Sequence, residues 1–315
     1  MAELNQPPKS VLVRRYLTYR RSLGYRMHGG ELLLDFARFA DAKAPNKPLT
    51  TSLAIQWASA SPSTGPKTRA QRLGMVRGFA RYCATFDTRT QVPDSSLLGV
   101  GFQRGRPHIF GVAELKMILR RARRLETSRS SLHPSTYTTL IGLLASTGMR
   151  PGEALRLHWA DLDIDRSSLR IRRCKFSPQR VIPLHSTVVR VLQRYIRARR
   201  TLFPNGETLF VNAVGHSLSA RRTEKVFQRL ARGILPHSER GSVRLMDFRH
   251  TFASGRISQW SRQKKPVAHH LLLLARYLGH RTFNSTWWYV TADPIALRDA
   301  CVRFRDFHEQ AQTAR

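Results

Sequence analysis

A stretch without any apolar repeat divides the sequence into two parts. Residues 87–107, DTRTQVPDSSLLGVGFQRGRP, are rich in Pro, Gly and Ser and keep no sustained period, which is typical of a linker between domains. Before this stretch, and over most of the chain after it, apolar residues recur every three or four positions, as in helices that bury one face. The sequence therefore predicts two domains, which we place at residues 1–105 and 106–315.

The N-terminal domain is predicted to be helical over residues 10–86. Its fourth helix, expected over about residues 67–86, carries apolar residues on one face and arginines beside them. The apolar residues expected in the core are Leu73, Val76, Phe79 and Ala80. The arginines are Arg69, Arg72, Arg77 and Arg81. These four arginines can form a solvated face of the helix. Because the whole chain has a large excess of basic residues, we favour contact with the phosphate backbone of DNA.

The C-terminal domain is predicted to be mainly α with a small β-sheet, an α+β arrangement. Its two strands are expected at residues 169–173 and 180–184, joined by a turn. The helices are expected at residues 112–126, 135–147, 187–202, 220–234, 243–259, 267–279 and 294–309. The acidic run at residues 161–165 lacks the later Gly and Glu of a calcium loop, so we expect these acids to be solvated before the strand.

The excess of basic residues indicates the class of partner. The chain has 54 Lys and Arg against 20 Asp and Glu, a formal net charge of +34. A field of this sign attracts polyanions and accelerates association with them. Nucleic acid is therefore the expected partner, with binding that weakens as salt rises, and a merely basic, solvated surface is the alternative.

The cysteines and the hydropathy pattern indicate a protein of a reducing compartment. Cys83, Cys174 and Cys301 lie far apart without a C-x-x-C pair, which argues against a disulfide framework or a zinc site. The longest apolar run, residues 271–275, is far short of the ~20 residues that cross a bilayer. The N-terminal segment has no apolar core long enough for a signal peptide. We expect a soluble cytoplasmic protein with no membrane partner.

Four segments of the C-terminal domain place polar residues where chemistry could occur. They are LLASTGMRPGEALRLHWADLD, CKFSPQRVIPL, MDFRHTFAS and YLGHRTFNSTWWYV. Taken singly, Arg150 could cap a helix, Lys175 could sit in a solvated turn, and Tyr289 could be a core aromatic. Arg249 is harder to explain, since it lies among residues that suit a buried helix. Its partner could be a phosphate or a core acid such as Asp247.

The four segments together resemble the tyrosine recombinase (phage integrase) family. The family's first arginine box, G-x-R-x-x-E-x-x-x-L, is matched by Gly148, Arg150, Glu153 and Leu157. The family's hairpin lysine, five residues before the arginine of R-x-x-P-L, is matched by Lys175 and Arg180. The R-H-T-F-A box, the L-G-H box and the nucleophile nine residues later are residues 249–253, residues 278–280 and Tyr289. The resemblance covers nearly the whole chain.

The resemblance implies an enzyme that cuts and rejoins DNA at specific sites through a 3′-phosphotyrosyl intermediate. It implies Tyr289 as the nucleophile, Lys175 as the general acid, and Glu153 as a residue that orients its neighbours. It implies that Arg150, Arg249 and His280 donate hydrogen bonds to the phosphate, and it places Arg180 among the DNA contacts. No metal or cofactor is implied. The implied partner is double-stranded DNA, bound by a homotetramer on paired sites, alone or with related recombinases, for a mobile genetic element in a bacterial nucleoid.

One position departs from the family pattern. The family usually carries a histidine three residues before the second arginine, where this chain has Met246. A thioether can neither donate a hydrogen bond nor carry a proton. Three interpretations are open. Lys175 and His280 could perform the proton transfers, or His250 could substitute for the missing histidine. The chain could also be an attenuated or non-catalytic DNA-binding relative. We favour activity, because every other catalytic position is filled. A type IB topoisomerase-like activity is a further alternative.

Overall fold

The computed structural model describes residues 7–27, 29–60, 64–99, 107–125, 132–172, 179–234, 243–263, 267–280, 282, 285–286 and 289. Two compact units make up the chain, Met1–Arg104 and Gly105–Arg315. In the described part, no helix is both long and apolar enough to cross a membrane.

The first unit is built from four helices around an aromatic centre. The helices are α1 (Lys9–Ser22), α2 (Gly30–Lys43), α3 (Thr51–Ser59) and α4 (Pro66–Cys83). Phe36 of α2 packs edge-on against both Trp57 of α3 and Phe79 of α4, with ring centroids 5.3 Å and 6.5 Å away. Asp41 of α2 fixes the start of α1, because its carboxylate accepts from the backbone N–H of Lys9 at 2.7 Å. The core predicted for the fourth helix is confirmed: Leu73, Val76, Phe79 and Ala80 are all buried.

The arginines of α4 lie beside this core. Arg69, Arg72 and Arg77 are half-buried, and Arg81 is exposed. The guanidinium of Arg72 lies over the ring of Trp57, 5.1 Å from its centroid, which fixes part of this basic face. Their contact with DNA stays a prediction.

The second unit is a helical domain with a three-stranded sheet. Its helices are α5 (Val112–Arg123), α6 (Leu132–Thr147), α7 (Pro151–Ala154), α8 (Ser186–Leu202), α9 (Ala220–Ala231), α10 (Asp247–Arg262) and α11 (Val267–Leu278). Helix α6 is central and packs against α5, α8 and α10. The strands β1 (Leu162–Asp163), β2 (Ser168–Ile171) and β3 (Arg180–Pro183) are antiparallel in the order β1-β2-β3. Leu169 and Ile182 pair across β2 and β3 and are both fully buried, so one face of the sheet joins the core.

Several boundaries differ from the sequence-based ones for local reasons. Helix α6 begins three residues earlier than expected, since Pro134 falls in its first turn, where a missing N–H costs nothing. Helix α10 begins at Asp247 rather than at residue 243, because the Asp247 carboxylate accepts from the backbone N–H of Arg244 at 2.8 Å. The helix predicted at residues 294–309 lies outside the described residues.

Asp165 is exposed as expected, but the expectation was wrong for Asp161 at the start of the acidic run. Strand β1 forms within it, and Asp161 is buried rather than solvated. The carboxylate of Asp161 accepts from the backbone N–H of His158 at 2.9 Å and from Nε of Arg172 at 2.7 Å. A partner eleven residues away along the chain explains this burial, and periodicity alone could not reveal it.

Gly148 ends α6 in a conformation that only glycine adopts easily, with φ at +61°. A Cβ added there would lie 2.5 Å from the ring of Phe252 on α10.

We therefore expect Gly148→Ala to lower the free energy of unfolding by at least about 2 kcal/mol. Gly142→Ala is the matched control: Gly142 lies inside α6 with open space around it, so alanine should raise stability by up to about 1 kcal/mol. Urea unfolding of the two variants checks this, and equal effects would contradict it.

Candidate active site

Three arginines converge on the C-terminal end of α11. The last carbonyls of a helix have no partner within the helix and carry the negative end of its dipole, so they suit cations. Here three consecutive carbonyls each accept from a different arginine. The pairs are Tyr277 O with Nε of Arg180 at 2.8 Å, Leu278 O with Nη2 of Arg249 at 2.7 Å, and Gly279 O with Nη2 of Arg150 at 3.3 Å. Residues from three distant segments are thereby held together.

Glu153 joins two of these arginines from the opposite side. Its buried carboxylate accepts from Nη1 and Nη2 of Arg180 at 3.1 and 2.7 Å, a forked contact. It also accepts from Nη1 and from the backbone N–H of Arg150 at 3.1 and 3.0 Å. Burial by itself would raise the pKa of Glu153, but the hydrogen bonds and the charge of Arg180, with those of Arg150, bring the pKa down to about 2. Glu153 is therefore a firmly ionised carboxylate.

The guanidinium of Arg180 is bound by groups of the protein itself. Its side chain is only 8% exposed, and its guanidinium is engaged by Glu153 and by the carbonyl of Tyr277. The predicted contact of Arg180 with DNA stays a prediction. Its position suits a residue that holds Glu153, and through it Arg150.

Arg249 is buried deep in the second unit and is bound by backbone carbonyls. Besides Leu278 O, its guanidinium donates to Gly148 O at 3.1 Å, and both carbonyls belong to sharply turned segments before and after α10. Burial lowers the pKa of Arg249, while the nearby Tyr289 acts in the opposite direction and also hydrogen-bonds with it. The alternative of an ion pair with Asp247 was wrong, because Asp247 lies 3.6 Å from the guanidinium of Arg244 instead.

His280 bridges Arg249 and a threonine. Its Nε2 lies 2.8 Å from Nη2 of Arg249, and its Nδ1 lies 2.6 Å from Oγ1 of Thr286. The residue before it, Gly279, has φ at +67°, and this turn after α11 directs His280 back toward Arg249. The L-G-H box is thus a helix end that supplies two carbonyls and one imidazole.

Tyr289 is 4% exposed and lies between two histidine rings. The ring centroid of His280 is 5.8 Å away in a stacked arrangement, and that of His250 is 5.3 Å away in a tilted one. Its other neighbours are apolar residues of α10 and α11, among them Ile257, Leu274 and Leu278. The hydroxyl-bearing ring is therefore held beside Arg249 and both imidazoles.

Met246 and His250 lie one turn apart at the start of α10. The backbone N–H of His250 donates to the carbonyl of Met246 at 3.4 Å, which places the two side chains on the same side of the helix. The half-buried Met246 stands at the position where the family pattern has a histidine, and His250 is the residue in contact with Tyr289. Lys175 lies outside the described residues.

The structure adds two residues that the sequence reading missed. Tyr277 donates its hydroxyl to Thr147 O at 3.0 Å and stacks on Phe252, which ties α11 to the end of α6 and to α10. Thr286 is fully buried against His280. The only sequence signal for either was its place next to a recognised box. Among the described residues, no group of three or more His, Cys, Asp or Glu is placed to hold a metal ion.

Comparison with known proteins agrees with this geometry. A family model of the phage integrase family matches residues 114–294, more than half of the chain. The chain belongs to the phage integrase family. It is therefore a tyrosine recombinase by family, an enzyme of DNA strand breakage and rejoining. A putative integrase/recombinase, y4rB of Sinorhizobium fredii, is 35% identical over 92% of this chain and 95% of its own length.

Two solved structures show that the fold of the family extends over both units. The Tn1549 transposon integrase in complex with transposon right-end DNA is 16% identical, with a TM-score of 0.67 over 94% of this chain and 98% of that one. The XerH site-specific recombinase bound to palindromic difH substrate is 20% identical, with a TM-score of 0.64 over 96% and 87%. The predicted fold class, mainly α with a small sheet, is confirmed.

The ionised Glu153 generates a prediction about acid stability. Its pKa is about 2 in the folded chain against an ordinary 4.5, so its ion pairs stabilise the fold above about pH 4.5 and lose this effect as the pH falls towards 2. The difference corresponds to about 3 kcal/mol. Glu153→Gln should therefore be much less stable than the unmodified chain at pH 7, and this difference should shrink across that pH window.

Glu207→Gln is the matched control for this measurement. Glu207 belongs to the same unit and contacts His158 at 3.0 Å, but its side chain is 76% exposed. The control should change the free energy of unfolding little at any pH. Denaturant unfolding from pH 7 to pH 2 provides the comparison, and a Glu153→Gln penalty that stays constant over this range would contradict the assignment.

Proposed function

We propose that this chain is a site-specific recombinase of a mobile genetic element, with Tyr289 as the nucleophile that forms a 3′-phosphotyrosyl bond to DNA. One observation carries the proposal: Arg249, His280 and Tyr289 come together at a single buried point, and Arg150 is held beside them through Gly279 and Glu153. The attack of the tyrosine oxygen on phosphorus releases the 5′ oxygen and retains the bond energy in the ester, so the strand can be rejoined without a cofactor.

Two arginines are suited to the charge that develops on the phosphate. Each has part of its donor fork fixed on a backbone carbonyl at the end of α11, so little reorganisation is needed when an anion arrives. The pKa of Arg249 is affected most by burial and then by Tyr289. The positive charge of Arg150 comes next and lowers that pKa. A phosphate between the two guanidinium groups would relieve this repulsion.

Arg249 has two kinds of partner, and the difference indicates where the phosphate enters. The carbonyls of Gly148 and Leu278 belong to the backbone and fix the guanidinium. The other partners, His280 and Tyr289, are side chains to which we assign roles in the reaction. We infer that a DNA phosphate takes over the donors that now meet these two side chains. Tyr289 then becomes available for attack, and Lys175 protonates the leaving oxygen.

His250 is the best-placed substitute for the histidine missing at position 246. It lies one turn further along α10, with its ring centroid 5.3 Å from that of Tyr289. A neutral imidazole there can receive the proton that Tyr289 releases on attack. The methionine favours one rival function, a relative that binds DNA without cutting it. The contact between His250 and Tyr289 is what favours activity.

The partner that we propose is double-stranded DNA held by a homotetramer, alone or with related recombinases. Exchange between two duplexes requires four strands to be cut, and each chain offers one candidate tyrosine. The net charge of +34 supplies the general attraction, and the row of arginines on α4 would give the first unit a DNA-clamping role. The transposon integrase with a similar fold and the bacterial relative support a mobile element in a bacterial cytoplasm, acting at the nucleoid.

The nucleophile can be tested directly. Tyr289→Phe removes only the hydroxyl from a packed ring, so folding and DNA binding should stay nearly unchanged, while covalent linkage should be lost completely. The measurement is trapping of a protein–DNA adduct on nicked duplexes built from the DNA that flanks the gene. Tyr277→Phe is the matched control, because Tyr277 is a neighbouring tyrosine whose hydroxyl donates to the backbone carbonyl of Thr147. An adduct that persists in Tyr289→Phe would refute the assignment. Supercoil relaxation without recombination would favour a topoisomerase-like activity.

The role of the α10 histidine leads to a second test. His250→Gln should slow single-turnover cleavage about 10²-fold or more if His250 receives the tyrosine proton. Met246→His, which restores the family residue, should then recover much of that rate in the double variant, while alone it should change the rate little. A wild-type chain without detectable cleavage that becomes active only as Met246→His would show that the natural protein is a disabled recombinase.

A further inference from the structure

Thr286 lies between His280 and Tyr289 along the chain, and the proposed chemistry gives it no role. It is fully buried, it lies three residues before Tyr289, and its Oγ1 is 2.6 Å from Nδ1 of His280. The other ring nitrogen of His280 meets Arg249 at 2.8 Å. This ring orientation gives both nitrogens a polar partner, whereas the flipped ring would set carbon atoms against both.

These contacts fix the hydrogen on His280. A guanidinium has donors and no acceptor, so Nε2 must accept the hydrogen bond from Arg249. An imidazole that accepts at Nε2 is neutral and carries its hydrogen on Nδ1. Nδ1 therefore donates, and the hydroxyl oxygen of Thr286 accepts. Without DNA, His280 is an acceptor at the atom that faces the arginine.

The proposed function requires the opposite arrangement. His280 can stabilise a phosphate only by donating a hydrogen bond to it, and the nitrogen beside Arg249 is Nε2. The hydrogen must then be on Nε2, and in a ring that stays neutral Nδ1 becomes an acceptor. In this exchange Nε2 takes up one proton from water and Nδ1 returns one to water, so the ring stays neutral. A partner at Nδ1 is needed that serves both forms.

We propose that Thr286 is a positioning residue that lets His280 change tautomer when the phosphate binds. A hydroxyl is both donor and acceptor, so Oγ1 accepts from Nδ1–H in the free chain and donates to bare Nδ1 in the DNA complex. A carboxylate or a carbonyl at this place could only accept, and would hold the hydrogen on Nδ1. The proposal rests on the proposed function for the phosphate-bound form, while the free form follows from the two contacts alone.

The first experiment reads the tautomer itself. The sample is the full chain carrying Tyr289→Phe, with histidine labelled with nitrogen-15. The NMR spectrum separates ring nitrogens that carry a hydrogen from those that do not. The signals of His280 are assigned by difference from a His280→Gln variant. We expect the hydrogen on Nδ1 in the free chain and on Nε2 after titration with inorganic phosphate, or with the flanking-DNA duplex. Three results would overturn the proposal: a hydrogen on Nε2 in the free chain, a hydrogen that stays on Nδ1 alone with both probes, or hydrogens on both nitrogens after binding.

The second experiment separates the hydroxyl from the packing. Thr286→Val keeps the shape and removes the hydroxyl, so cleavage by the otherwise unmodified chain should fall about 10- to 100-fold, while Thr286→Ser should stay within about threefold. Thr282→Val is the control, since Thr282 is exposed and its hydroxyl meets Ser285. Equal losses in the Val and Ser variants would assign Thr286 a packing role and overturn the proposal. A wild-type chain that fails to cleave refutes the proposed function, and the NMR titration still decides the role of Thr286.

Discussion

The end of helix α11 is the point on which the rest of the site depends. Its last carbonyls would be unsatisfied in a buried helix terminus, and the three arginines that meet them would be unsatisfied cations. The arginines donate hydrogen bonds to these carbonyls, so both kinds of group are satisfied. The same hydrogen bonds bring α7, β3 and α10 together at the end of α11. These contacts are made to backbone, and the buried carboxylate of Glu153 holds two of the arginines from the other side, so the arginine positions are set by the fold. Such fixed donors are what an incoming phosphate requires.

The same use of carbonyls recurs elsewhere in the second unit. Arg199 is buried and donates to the carbonyls of Phe203, Asn205 and Gly206, and Arg121 donates to those of Leu230 and Arg232. With 54 basic residues and only 20 acidic ones, carboxylate partners are scarce for the arginines of the chain. A buried arginine such as Arg199 donates to backbone carbonyls of loops and helix ends instead of to a carboxylate. A carboxylate partner is found instead at positions such as Glu153, where one carboxylate holds two arginines, Arg150 and Arg180.

The proposed catalytic cycle depends on exchanging one set of partners for another. In the free chain, Arg249 holds His280 and Tyr289 beside it, and the tyrosine is buried among apolar side chains. The phosphate that we propose as substrate is the group that can displace both from the guanidinium. Binding and activation would then be a single event, since the anion that recruits the arginines also releases the nucleophile. Thr286 extends this arrangement to the proton on His280.

The sequence by itself determined the elements and the chemistry-bearing positions. The buried face of α4 and the helices of the second unit follow from local periodicity, a property of neighbouring residues, and the boxes around Arg150, Arg249, His280 and Tyr289 follow from the resemblance to the family. Only the tertiary structure decided what those residues touch. The burial of Asp161, the forked contact of Arg180 with Glu153 and the pairing of His280 with Arg249 all depend on how separate segments meet. A hydrogen-bond partner is a matter of distance in space, and the spacing of residues along a chain does not contain it.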